Sequence, residues 1–126
     1  MITGKNKESL VAELTTRGHQ LLSGLPESVG GHDEGPDPHE LLEASLAACT
    51  ILTGNLYAKR KGFKLDSIDV IVKILSEGEE TRIQREIEYR GELTLEEKAR
   101  ITEIVGRCPI HRLLESKITI ETKQIN

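Results

Sequence analysis

The sequence has no tryptophan and only three other aromatics, one phenylalanine and two tyrosines, so its core must be built from leucine, isoleucine, valine and alanine. Such an aliphatic core in a chain of 126 residues is modest, and burial between copies of the chain would enlarge it. No apolar run approaches the roughly 18 to 20 residues of a spanning helix, and the opening MITGKNKESL lacks the apolar centre of a signal peptide. The expectation is a soluble, cytoplasmic chain with no membrane partner. Lysines and arginines are scattered among acidic residues at a net charge of -4, without the basic stripe that follows a phosphate backbone, so nucleic acid is not an expected partner. Cysteine is limited to Cys49 and Cys108, too few for a disulfide scaffold. In a reducing compartment a distant pair of this kind is either inert packing or a redox couple.

Neither linker nor repeat interrupts residues 1 to 126, which read as one domain. Ser9 to Thr15 and His19 to Leu25 alternate in part around Arg17-Gly18, as a hairpin does. Pro26 to Asp37 is rich in glycine and proline and reads as a loop. Asp37, Pro38 and Glu40 then supply a cap, a first-position proline and a reciprocal carboxylate, predicting a helix that runs to about Lys61 and ends at Gly62. Asp66 to Leu75 and Arg82 to Tyr89 alternate as two strands, with Ile68, Val70, Val72 and Ile74 on one face and Ile83, Ile87 and Tyr89 continuing the pattern. Thr94 and Glu97 open a second helix whose stripe is Leu95, Ala99, Ile101, Ile104 and Val105. Pro109 to Ser116 reads as a short further helix and Ile118 to Ile120 as the start of a last strand. The result is an α+β domain dominated by antiparallel hairpins.

Between Leu41 and Leu52 the first helix is apolar on nearly every side, the mark of a buried helix. At about 100° per residue, Leu42, Ser45, Leu46, Leu52 and Leu56 share a side with Cys49. Glu43, Ala47, Thr50 and Gly54 form another, small enough for close approach by a second helix. Cys49 on these grounds is either a small core residue or a thiol aimed at a partner. Cys108 stands immediately before Pro109 at a helix N-terminus, where unpaired amides favour a thiolate, with Arg107, Arg112 and His111 near it in sequence. Judged by local surroundings, Cys108 is the better-activated thiol. A Cys-x-x-His zinc half-site is the competing reading, but Cys49, His19, His32 and His39 would have to be recruited from afar, and no metal is expected.

The run Asp37-Pro38-His39-Glu40-Leu41-Leu42, leading through Ala47-Ala48 to Cys49 with Cys108 far downstream, resembles the OsmC/Ohr family of thiol-dependent hydroperoxide reductases. The resemblance covers most of the chain. It implies an OsmC-like fold of antiparallel sheets with two central helices in an intertwined homodimer. It also implies that Cys49 is the peroxidatic thiol and Cys108 the resolving one, with no metal or organic cofactor. In that family a strand arginine near the N-terminus activates the thiol, and a glutamate directly after the motif proline holds the arginine. Here Arg17 is the only early arginine and stands one residue out of place relative to Gly18, and His39 replaces the glutamate, with Glu40 one residue later. The pattern is closer to the broad OsmC-like branch than to the dedicated organic-peroxide enzymes. Arg17, Glu43 and His39 complete the candidate site: a cation, a carboxylate inside an apolar helix, and a polar group beside the cavity.

The expected function is reduction of hydroperoxides, or thiol–disulfide exchange, through Cys49 and Cys108, with electrons from a small or protein dithiol. The alternative is a non-enzymatic dimeric ligand-binding or structural protein that keeps the two cysteines without the arginine and glutamate pair.

Overall fold

Alternation and capping chemistry place most elements of the computed structural model, which describes residues 1–126. The chain divides into two units, Met1–Ala44 and Ser45–Asn126, with the division falling inside a helix.

In the first unit, β1 (Thr3–Glu8), β2 (Val11–Thr16) and β3 (His19–Ser23) form an antiparallel meander. Thr16 pairs with His19, so Arg17-Gly18 is a two-residue hairpin loop, and φ values of 46° and 81° give it the left-handed pair that matches strand twist. Strand β1 was not anticipated. TGKNKE is polar and exposed throughout, so it carries no apolar phase and owes its conformation to backbone pairing with β2. The Asn6 amide donates to the carbonyls of Glu8, Ser9 and Val11 at 3.1 to 3.3 Å, holding the bulged turn between these strands. The following loop includes one 3-10 turn, Glu27–Val29. Ser23 Oγ donates to the Pro36 carbonyl at 2.8 Å and closes the loop's two ends. A Cβ on Gly35 would lie 2.3 Å from the Leu22 carbonyl oxygen, so only glycine allows this approach.

Helix α1 (Pro38–Lys61) starts with the expected reciprocal cap: Glu40 N–H donates to Asp37 Oδ1, and Asp37 N–H donates to Glu40 Oε1, both at 2.9 Å. Gly62, at φ 73°, ends it. By length and composition α1 is apolar enough to cross a membrane. Within the second unit, however, Thr50, Gly54, Tyr57 and Ala58 are buried against protein.

In the second unit, β4 (Lys64–Ser76) and β5 (Arg82–Glu92) pair as a long antiparallel hairpin, extending past the ends expected from alternation. Ile68, Val70, Val72 and Ile74 face inward opposite Tyr89, Ile87, Arg85 and Ile83. Gly91, at φ 139°, passes so close to Lys64 that a Cβ would lie 2.2 Å from that residue's carbonyl oxygen. Helix α2 (Leu95–Val105) has the Thr94 and Glu97 capping box and packs Ile101 and Val105, both fully buried, against Tyr57 and Ala58 of α1. Leu95, assigned to that stripe from sequence, is instead 85% exposed, because it precedes the first full turn that reaches the core. Helix α3 (Pro109–Leu114) follows directly. The strand expected from Ile118 onward does not form: residues 117 to 126 make no ladder, since alternation supplies an apolar face but not a partner strand.

The apolar girdle of α1 is not buried all round. Its small-residue side packs inward, where a Cβ on Gly54 would meet Ile68 Cδ1 at 2.5 Å and Val105 Cγ1 at 3.3 Å. Leu52 and Leu56, on the Cys49 side, are 68% and 59% exposed.

Candidate active site

The fold brings the two cysteines together. Cys49 comes from the middle of α1 and Cys108 caps α3, and the two free thiols are close enough for each to act on the other's acidity. Three N-terminal features of α3 serve the pair. Pro109 has no N–H to place; the Ile110 N–H favours the Cys49 thiolate; and the His111 N–H donates to Cys108 Sγ at 3.4 Å. Thr53, one helical turn beyond Cys49, places Oγ1 3.8 Å from its sulfur.

The thiols differ in acidity. Burial pushes the Cys49 thiol up, but the Ile110 N–H, the Cys108 thiol, the Thr53 hydroxyl and the Arg85 charge outweigh it and bring the group below the ordinary thiol value. Cys108 is raised, chiefly by its burial; the His111 N–H and Arg85 oppose this, while Cys49 adds to it. The expectation that Cys108 is the better thiolate is therefore reversed. Its sulfur is fully buried, and the dipole end it caps also donates to its neighbour. Arg107 does not help it, being 67% exposed and paired with Glu103 at 2.8 Å.

The cation that acts on both sulfurs is Arg85, a residue not singled out from the sequence. It occupies an inward-facing position of β5, in the phase of Ile83, Ile87 and Tyr89 and opposite Val72. An arginine on the apolar phase of an alternating strand was the available signal. Arg85 Nη1 donates to Thr50 Oγ1 at 3.1 Å, and Thr50, fully buried, donates in turn to the Leu46 carbonyl at 2.7 Å. Arg85 Nη2 lies 2.9 Å from His111 Nδ1. Beyond the histidine, Nε2 is 2.7 Å from Glu115 Oε1. Arg85, His111 and Glu115 line a cleft of about 540 Å³ with Leu46, Ile83 and Leu114 among its walls.

The other sequence candidates belong to the Met1–Ala44 unit. Arg17 forms the β2–β3 loop, His39 is exposed in the first turn of α1, and Glu43 is half-buried one turn later. All the groups that act on the two sulfurs, Thr53, Arg85, Ile110 and His111, come from Ser45–Asn126. No group of three or more histidine, cysteine or acidic side chains is arranged to hold a metal.

Residues 31–123 match the family of OsmC-like proteins. The chain belongs to that family. No curated protein matches the sequence. Among solved structures, an OsmC-like protein from Mycoplasma pneumoniae is 23% identical at a TM-score of 0.73, over 91% of this chain and 86% of that one. OsmC of Legionella pneumophila, described as an organic hydroperoxide resistance protein, is 18% identical at a TM-score of 0.66, over 91% and 88%. The organic hydroperoxide resistance protein OhrB of Bacillus subtilis is 16% identical at 0.63, over 91% and 90%. At these identities the likeness concerns the fold, an α+β arrangement of antiparallel sheets with few helices.

Proposed function

We propose that this OsmC-like protein is a cytoplasmic, thiol-dependent hydroperoxide reductase in which Cys49 is the peroxidatic and Cys108 the resolving residue. One observation carries the reading: two free thiols from separate elements stand close enough to act on each other, with the one in the middle of α1 drawn below the ordinary thiol value and the buried one raised above it. The hydroperoxide resistance named for two structural relatives is consistent with it.

The thiolate of Cys49 attacks the terminal oxygen of the hydroperoxide. The S–O bond forms, the O–O bond breaks, and the leaving alkoxide takes a proton from solvent, giving an alcohol and Cys49 sulfenic acid. Arg85 stabilises both the thiolate and the charge developing on the leaving oxygen. Cys108, kept protonated by burial, then displaces the sulfenic hydroxyl. The disulfide forms, and the displaced hydroxyl leaves with the Cys108 proton as water before further oxidation of Cys49. An external dithiol restores both thiols.

The exposed Leu52 and Leu56 beside Cys49 support a homodimer with α1 at its centre, formed by one OsmC-like domain from each copy. Arg17, Glu43 and His39 are kept as proposed site residues on the strength of the sequence resemblance.

The test follows thiol loss by mass after mixing the reduced protein with an organic hydroperoxide or hydrogen peroxide, in the native and Cys49→Ser forms. The reading requires consumption by the native protein alone. Equal consumption by both forms would remove Cys49 from its role, and none in either would favour a binding protein.

A further inference from the structure

Arginine has only donors. Since Arg85 Nη2 stands 2.9 Å from His111 Nδ1, that nitrogen must accept, which requires it to carry no proton. The ring proton then belongs on Nε2, where Glu115 Oε1 receives it at 2.7 Å. The two contacts choose the same tautomer. The series Glu115, His111, Arg85 and Thr50 therefore runs in one donor direction from guanidinium to carboxylate on one side and to the α1 backbone on the other.

The arrangement solves a problem that β5 creates. Arg85 stands on the apolar phase between Ile83 and Ile87, where a guanidinium needs partners to remain inward. Thr50 Oγ1 accepts from one terminal nitrogen. His111 takes the other nitrogen while leaving the full positive charge available to the sulfurs. A carboxylate in its place would partly neutralise that charge. The His111 side chain is 27% exposed on the wall of the cleft, which it shares with Arg82, Arg85 and Glu115, so its proton exchanges with solvent.

We propose that His111, with its tautomer set by Glu115, is the positioning residue that holds Arg85 over the thiol pair. This rests on the peroxidase reading for its catalytic consequence, though not for its effect on Cys49 acidity. A proton on Nδ1 would place a second cation against Arg85 and remove its acceptor. The charged groups around the ring are Arg85 from β5 and Glu115, the residue that ends α3, with Arg82 of β5 lining the same cleft, while Cys49 from α1 and Cys108 are reached through Arg85.

The experiment compares the native protein with H111L, H111N and E115A, all fully reduced. Alkylation of Cys49 by iodoacetamide is followed by peptide mass from pH 5 to 9, and hydroperoxide consumption is measured alongside. Asparagine keeps an acceptor near the place of Nδ1, whereas leucine keeps only volume. H111L should alkylate Cys49 about tenfold more slowly on the acid side, the effect of a one-unit rise in thiol pKa, and lose peroxide activity in parallel. H111N should recover most of both, and E115A should lose about twofold. An unmoved alkylation profile in folded H111L, or equal losses in H111N and H111L, would overturn the proposal. If H111L does not fold, E115A decides it, an unmoved profile there being the negative result. A shifted profile in a protein that consumes no hydroperoxide would uphold the positioning role and reject the peroxidase reading.

Discussion

Cys49 lies in the middle of a 24-residue helix, where backbone amides are bonded within the helix, while Cys108 caps a six-residue helix whose first amides have no carbonyl partner within it. By local rules the second should be the acid and the first inert. The fold reverses them. It brings the first turn of α3 to α1, so that the Ile110 N–H acts on Cys49, and it buries the Cys108 sulfur completely. A helix terminus lowers the pKa of whichever thiol its amides reach with least desolvation, and that thiol need not be on the same helix.

The most severe way to break the comparison is to delete one thiol at a time. Cys49→Ser should lower hydroperoxide consumption by at least about 1,000-fold, since no other group would form the sulfenic acid. Cys108→Ser should separate the two roles. A first equivalent of peroxide would still convert Cys49 to sulfenic acid, and a second would carry it to sulfinic acid in place of a disulfide, visible as mass gains of one and two oxygens.

Removing the shared cation is expected to come next. Arg85→Leu should slow peroxide reduction by about 100-fold, as loss of one charge-stabilising donor does elsewhere, and should move Cys49 alkylation to higher pH. Arg17→Leu should leave that alkylation profile in place, because Arg17 is not among the groups that act on Cys49.

The comparison also depends on how closely α1 approaches β4 and α2. Gly54→Val would push a branched side chain into Ile68 and Val105. We expect a loss of about 2 kcal/mol in urea unfolding.

The smallest effect concerns stability against pH. Cys49 is lowered on folding, so its contribution is present above the unfolded thiol value and lost as pH falls through the folded one. Cys108 is raised, so its contribution is present below the unfolded value and lost as pH rises through the folded one. From pH 7 to above the ordinary thiol value of about 8.5, the native protein should gain melting temperature relative to Cys49→Ser and lose it relative to Cys108→Ser. Slopes of the same sign would contradict the assignment of acidity.

Much of the fold was legible because its signals are local. The Asp37 and Glu40 cap, the Gly62 stop, the alternation from Ile68 to Ile74 and the Thr94 and Glu97 box each depend on neighbouring residues, and each appears where expected. One strand was missed and one expected strand did not form, for related reasons. Thr3–Glu8 has a partner without an apolar phase, and Ile118 to Ile120 has an apolar phase without a partner.

For the site, the sequence by itself determined the residue types and the helix that carries Cys49. Arg85 was visible as a charge on the apolar phase of a strand, but nothing local says what a guanidinium 35 residues from Thr50 will reach. Tertiary structure alone decided that Cys49 and Cys108 come near enough to act on each other, that Cys49 is drawn towards the thiolate and Cys108 away from it, and that Arg85 rather than a nearer arginine supplies the charge. Acidity depends on desolvation, donors and charges within a few ångströms, and those neighbours come from α1, β5 and α3 together.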